Sequence, residues 1–542
     1  MKKLYFLFTG ILYFNIGFAQ PIMDTSAKLI AQKENVIKES TVIKVENLGP
    51  VINTSLPEMR PTISADGNLL FFIRQNDPKN VQYQTVPNSQ DIWYSTRDTA
   101  GNWAKARHLS ARVNASQYNA VYWISPDMNT MLLKGAFTQG QYLGTGLSMI
   151  HRMEDGSWSD AEMLKIIDFN KYTSVTAQIG ASMGHDGRTL LFYMSNKKED
   201  YNNQLYVSFL QKNDVWTAPK SLGKKINLPD YNQMSPFIAA DGVTLYFSSD
   251  RPGGLGEMDI WMAKRLDETW TKWSDPVNLG APINTEGSEA FFTLDAGGEY
   301  AYLSSSNGAL GASDIVRVKL LEKEKPNPVM LVSGNVYNAK TKEPLSAALV
   351  YQTLPDGTVA GNGISNPADG AFKIVLPYNK NYSILASADK FFSISENLNL
   401  DSLTKIGYKE IHKDLYLVPI EVGQVFRLNN VFFDFDKYNL RAESFVELNR
   451  VVKFLNDYPN IEIEMSAHTD SKGADDYNMT LSENRAKSVM DYILSKGIAA
   501  SRITSHGYGK TKPVAPNTNA DGSDNPEGRQ LNRRVEFTIL KN

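Results

Sequence analysis

The sequence predicts a multidomain protein: an all-β propeller of five blades, then a β-sandwich, then a C-terminal α/β module. Three observations predict it. A strand-rich motif recurs five times between residues 42 and 321. Short alternating strands split by Gly, Pro, Asp and Asn fill 332–419, and after Pro419 the apolar period lengthens to that of helices. At roughly 100–200 residues per domain, 542 residues hold three or four such units.

Composition narrows the function classes. With 42% hydrophobic residues, 21% charged and a net charge of −3, there is no basic excess to hold nucleic acid. Cysteine is absent, which removes disulfides, thiolate metal sites, a thiol nucleophile and a cysteine-borne lipid anchor. No cofactor is expected. At the N-terminus Lys2-Lys3, an apolar run from Leu4 to Phe14 and small residues up to Ala19 read as a secretory signal peptide over 1–19, with a polar leader over 20–41. Beyond it no run approaches the ~20 apolar residues of a membrane-spanning helix, so the mature chain is expected to lack a transmembrane segment.

The pattern that recurs in 42–321 is an apolar strand, an Asp-Gly turn in three of the copies, an aromatic strand, an Asp-Ile-Trp-like strand and, in four of the copies, a Trp. Repeats of this length built of short strands are the signature of a propeller. The fifth copy stops before its last strand, and Val45–Glu58 echoes Val277–Glu289, so an N-terminal strand is expected to complete the last blade and remove an open sheet edge. Asp66-Gly67, Asp186-Gly187 and Asp241-Gly242 read as hairpin turns, His185 as a turn residue rather than a ligand, and Trp103, Trp158, Trp216 and Trp270 as blade packing. A charged, proline-bearing linker is expected over 322–331, the sandwich over 332–419 and the α/β module over 420–542.

In that module Phe445, Leu448, Val452 and Leu455 fall at helical spacing before Pro459, and Ile461, Ile463 and Met465 alternate as a strand. Ser482 is the expected N-cap of a second helix with an Ala486–Val489–Met490–Ile493–Leu494 stripe, ended by Gly497. This places Arg485 in a first turn beside free N–H groups, where the two together would receive a carboxylate. Asp470, at the strand's end, could take an ammonium group. On spacing alone an Asp470–Arg485 salt bridge is an equal reading. A His468/Asp470 catalytic dyad is weaker, because no Ser, Cys or second His completes it. The Gly- and Asp-rich Asn517–Gln530 stretch reads as a solvated loop, since its ligand order is not that of an EF-hand.

Three resemblances add to this. The repeats resemble the propellers of TolB and related envelope proteins, which implies a protein-binding scaffold. Gly334, Pro344, Ala347, Asp369, Gly370, Phe372 and Tyr382 resemble the carboxypeptidase regulatory-like domain, a module without metal ligands. The block "HTDSKGADDYNMTLSENRAKSVMDYILSKGI" with "RITSHGYGKTKP" and "NRRVEF" resembles the OmpA C-terminal domain. That resemblance implies non-covalent binding of peptidoglycan through the diaminopimelate of its stem peptide. Asp470 would take the ammonium and Arg485 the carboxylate, with Asn478, Arg533 and Asp436 as accessory positions. The domain order resembles PorE-type Bacteroidetes envelope proteins of type IX secretion, although no tetratricopeptide helices precede the repeats. The expected function is a non-enzymatic periplasmic adaptor, peripheral to the outer membrane, with an unidentified envelope protein held by the propeller. The alternative is a propeller hydrolase acting on glycans.

Overall fold

The computed structural model describes residues 44–542 except 83–87, 175, 177, 196–201, 401–406 and 435. The expected signal peptide and leader lie outside the described residues.

Five four-stranded antiparallel sheets follow one another, led by the strands Glu58–Ile63, Val121–Ile124, Ile179–Met183, Gln233–Ile238 and Glu289–Leu294. These leading strands touch in sequence, and the last touches the first. The fifth sheet takes its outer strand from the other end of the region: Val45–Asn47 pairs antiparallel with Asp314–Lys319, Val45 opposite Val318. This is the expected strand exchange. One packing residue moves: the bridge that pairs Arg97 with Trp103 and Arg152 with Trp158 joins Arg265 to Trp273, so Trp273, not Trp270, holds the repeated place. Trp270 sits edge-on to Trp273, with the Arg265 guanidinium 4.8 Å from its ring.

The stretch expected to be a linker is packed. Glu324 is buried, its carbonyl accepts the Tyr246 hydroxyl at 2.5 Å, and strand Val329–Asn338 begins within it. That strand belongs to a five-stranded sheet facing a four-stranded one, and Val336, Leu349, Phe372, Ile374, Tyr382 and Leu417 form their shared core. The alternating strands were legible because each has one buried face.

This two-sheet unit sits on the first turn of each of the five sheets. Lys373 reaches Asp66, the Ile364 amide donates to Asp127 Oδ2 at 2.9 Å, and the Asn327 amide donates to Asp241 Oδ2 at 2.9 Å. The Asn362 amide donates to the Asp186 carbonyl at 3.1 Å, and Ala65 and Ala296 pack against Val329, Leu331 and Val375. The turn aspartates therefore hold a neighbour as well as their own turns. His185 is half-buried in the same layer, its carbonyl accepting the Tyr351 hydroxyl at 3.2 Å, and desolvation pushes its imidazole pKa down to about 4.

The C-terminal module has four strands, β1 (Val425–Leu428), β2 (Glu462–Ala467), β3 (Ile503–Gly507) and β4 (Val535–Lys541), in the order β1-β4-β2-β3. Helices α1 (Ser444–Asp457), α2 (Asp475–Ser495) and α3 (Pro526–Asn532) accompany them. Ile463 and Met465 are fully buried with Leu448, Leu455, Val489 and Ile493. Phe445 is not core; it lies on the surface, stacked on Tyr492 at 4.7 Å. Phe392 of the two-sheet unit enters this core, 4.9 Å from Phe426, 5.1 Å from Phe454 and 4.9 Å from Phe537. Beside it Ser395 donates to buried Glu447 at 2.9 Å, and Arg450 pairs with Glu447 at 2.6 Å.

Candidate functional site

Helix α2 starts at Asp475, seven residues before the expected cap. Asp475 and Asp476 occupy its first turn, where acidic side chains suit the positive end of the macrodipole. Ser482 acts elsewhere in the helix. Its hydroxyl donates to the Met479 carbonyl and accepts the Gly509 amide, both at 2.8 Å, fixing the segment after β3 against α2. A side chain at Gly507 would collide with the Glu483 backbone, so that close approach requires glycine. Arg485 is thus well inside α2, away from free N–H groups, and the expected pairing of Arg485 with a helix N-terminus is corrected.

Arg485 is held differently. Its Nε donates to the Lys437 carbonyl at 3.0 Å, and its guanidinium lies 4.9 Å from the Phe433 ring centre. Burial lowers its pKa from the ordinary value; Asp436 and Asp470 oppose that, and Arg533 adds to it. Among the described residues no carboxylate ion-pairs with Arg485, so both terminal nitrogens remain to meet a planar carboxylate.

Asp470, just beyond β2, is buried and has two different oxygens. Oδ2 pairs with Arg533 at 2.5 Å and Arg529 at 3.4 Å, while Oδ1 accepts the Lys472 amide at 2.9 Å. Burial alone would raise its pKa. The Lys472 amide, Arg533 and Arg529 outweigh burial and hold it below the ordinary carboxylate value. A carboxylate oxygen has two lone pairs, so Oδ1 keeps one.

Asp470, Arg485, Asn478, Arg533 and Asp436 all line one cleft of about 730 Å³. The structure brings all five together, in unequal positions. Asn478 is buried and donates from Nδ2 to the Lys472 carbonyl at 2.9 Å, so it braces the Asp470–Gly473 turn. Asp436 is exposed at a left-handed backbone position, φ 60°. Arg533 is the ion-pair partner of Asp470, the place that spacing alone had offered to Arg485. His468 faces Glu536, 3.2 Å from its Oε2, and stacks on Tyr508; with His468 turned to Glu536, no His468/Asp470 dyad forms. Together with Arg534, His468 overcomes burial and holds Glu536 down at about 2.

Arg529 was missed. It projects from α3, inside the stretch read as a solvated loop, and clamps Asp524 at 2.6 Å as well as reaching Asp470. The signal was present: Asn525 caps the helix, accepting the Gly528 amide at 2.9 Å, and Pro526 stands in the first turn. Phe433 and Tyr477, which add apolar wall to the cleft, were also passed over.

Comparison with known proteins bears on this module. A model of the OmpA family matches residues 432–526. Over 149 residues the chain is 33% identical to the peptidoglycan-associated lipoprotein of Buchnera aphidicola, covering 81% of that protein and 28% of this chain. The chain belongs to the OmpA family. The chain is also similar to proteins of different names. One is the Photosystem I P700 chlorophyll a apoprotein A2 of Gloeobacter violaceus, 50% identical over 122 residues, 22% of this chain and 14% of that protein. Another is outer membrane porin F of Pseudomonas fluorescens, 40% identical over 119 residues, 22% of this chain and 35% of that protein. The chain spans only these minor fractions of the two, so what they share with it is a segment of limited length. Among the described residues no helix is long and apolar enough to cross a membrane.

Proposed function

We propose that the chain is an envelope adaptor whose OmpA-family module grips peptidoglycan without a covalent bond. A diaminopimelate end group carries an ammonium and a carboxylate on one carbon. Arg485 would take the carboxylate with its two terminal nitrogens, and Asp470 would take the ammonium with the remaining lone pair of Oδ1. Arg533 and Arg529 keep Asp470 ionised and fixed, and Asn478 holds its turn. The observation that carries this reading is that Arg485 lies over Phe433 with no described carboxylate partner, in the same cleft as an ionised Asp470 that pairs with other arginines. A closed Asp470–Arg485 pair would have left the cleft nothing to offer.

The five sheets are read as a five-bladed propeller and the two-sheet unit as a regulatory-like sandwich. Cyclic contact of the leading strands and the exchanged strand at Val45–Asn47 support the first. Export by residues 1–19, a periplasmic position peripheral to the outer membrane, and a place in type IX secretion complete the proposal, the last resting on domain order alone. The hydrolase alternative finds less support. The space between the leading strands is lined by Arg60 and Tyr122 but by no described Asp or Glu, and burial raises the Tyr122 phenol, opposite to what a nucleophile needs.

The test is co-sedimentation of the full chain with purified sacculi, since Phe392 makes the two-sheet unit part of the module's core. Arg485→Ala and Asp470→Asn each remove a charge-assisted contact of ~1.5–3 kcal/mol, so retention should fall roughly ten- to hundredfold. Folded variants that sediment like the parent would sink the reading.

A further inference from the structure

The leading strands of the five sheets enclose a second polar chamber, far from the cleft in sequence. Arg60 sits in it at a left-handed backbone position, φ 56°, on a bulge between Met59 and Thr62. Its guanidinium lies 4.0 Å from the Phe291 ring and 5.0 Å from Tyr122, and Nη2 donates to the Tyr193 hydroxyl at 2.8 Å. The remaining N–H groups of the fork have no described side-chain acceptor. No Asp or Glu lines the chamber, and among the described residues no carboxylate ion-pairs with Arg60.

Four further side chains on the lining bring buried polar atoms without partners: Trp123 Nε1, Ser182 Oγ, Ser235 Oγ and His185 Nδ1. An indole N–H and a guanidinium can only donate and a hydroxyl can do either, so all the charge and two of the donor groups on the lining suit an anion. Buried polar groups left unpaired cost ~1–3 kcal/mol each, and four of them belong to residues on this one lining. A second cation lies nearby: Lys134, whose ammonium is 5.2 Å from the Tyr118 ring. Burial first, and Arg60 second, push its pKa down to about 8, as expected of two cations with no anion between them.

One end of the chamber is covered. The first turns of all five sheets are covered by the two-sheet unit, through Asp66, Asp127, Asp186 and Asp241 and the Ala65–Ala296 layer. Lys134, hydrogen-bonded to Ala120 ahead of the second leading strand, lies toward the other end. The chamber has a volume of about 50 Å³. One water needs roughly 10–15 Å³, so the space suits a group of a few heavy atoms and excludes a sugar ring.

We propose that this chamber binds a carboxylate, entering from the end opposite the two-sheet unit. Arg60 presents its free fork to both oxygens, the geometry that makes arginine–carboxylate pairs strong, and Ser235, Ser182 and Trp123 complete the donors. Lys134 adds attraction at the entrance. The carboxylate belongs either to a free small acid or to the end of a partner's chain.

The test is calorimetric titration of the full chain carrying Arg485→Ala, so that the C-terminal cleft is not counted and its role is not at stake. Sodium formate is the probe, formamide the neutral control, and ionic strength is held constant. One-to-one, saturable uptake of formate with no uptake of formamide is expected, weakened at least about tenfold by Arg60→Gln and about threefold by Lys134→Gln. Ser235→Ala, which breaks no existing hydrogen bond, should weaken uptake without lowering the melting temperature and serves if Arg60→Gln does not fold. Titration with N-acetylglycine separates the sources: binding equal to formate means a chain end is admitted, and formate alone means a free acid. Equal heats for formate and formamide, or uptake unchanged in both Arg60→Gln and Ser235→Ala, would overturn the site and leave a water-filled chamber.

Discussion

Arg485 and Arg60 rest on aromatic rings in two parts of the molecule, yet their surroundings differ in one decisive respect. Around Arg485 the cleft carries both signs, with Asp470 and Asp436 facing Arg533 and Arg529. Around Arg60 the charge is of one sign only, with Lys134 beside it. A mixed site selects a ligand bearing both charges at a set separation, whereas a one-sign site selects a lone anion and is indifferent to the rest of the molecule that bears it.

The comparison can be broken by inverting charge. Arg485→Glu should lower retention on sacculi by more than about a hundredfold, because it replaces an attraction with a repulsion, while Arg60→Gln leaves retention unchanged. Loss of retention in both variants, with folds intact by circular dichroism, would mean the two sites are not separate.

Acid sharpens the contrast. Glu536 is held at about 2 against an ordinary 4.5, so its contribution to stability is complete above about 4.5 and is lost as pH falls toward 2. Urea unfolding of the full chain should show a loss on the order of 1–3 kcal/mol over that interval, flattened in Glu536→Gln. Asp470, also depressed, should keep its charge as pH falls through 4, and sacculus binding should persist there.

Alkali should act on the other site, with the smallest effect. The charged and titratable groups described against Lys134 are Arg60 and Tyr118, and its pKa is lowered from 10.5 to about 8. Formate uptake should therefore weaken a few-fold as pH rises above about 8, when the ammonium deprotonates, and Lys134→Gln should remove that dependence. A weakening that persists in Lys134→Gln would assign it elsewhere.

The sequence made the alternation of Ile463 and Met465 and the stripe through Val489 and Ile493 legible through local period, and pointed to the five cleft residues only through the resemblance to the OmpA C-terminal domain. It was silent where a residue's partner is distant in the chain. Ser482 looks like a cap until Gly509 is placed against it. Asp66 and Asp241 look like plain turn residues until Lys373 and Asn327 arrive. Arg529 was hidden by composition: a stretch rich in Gly and Asp reads as a loop, although Asn525-Pro526 announces a helix.

Phe392 has a mechanical consequence. A side chain of the two-sheet unit lies in the aromatic core of the C-terminal module, and the same unit is clamped to five consecutive sheet turns on its other side. Such a joint is packed on both sides, so turning or stretching it would break those contacts. Load applied at the cleft would pass through packed rings and turn contacts to the far sheets as through a stiff bracket, not be absorbed by a tether.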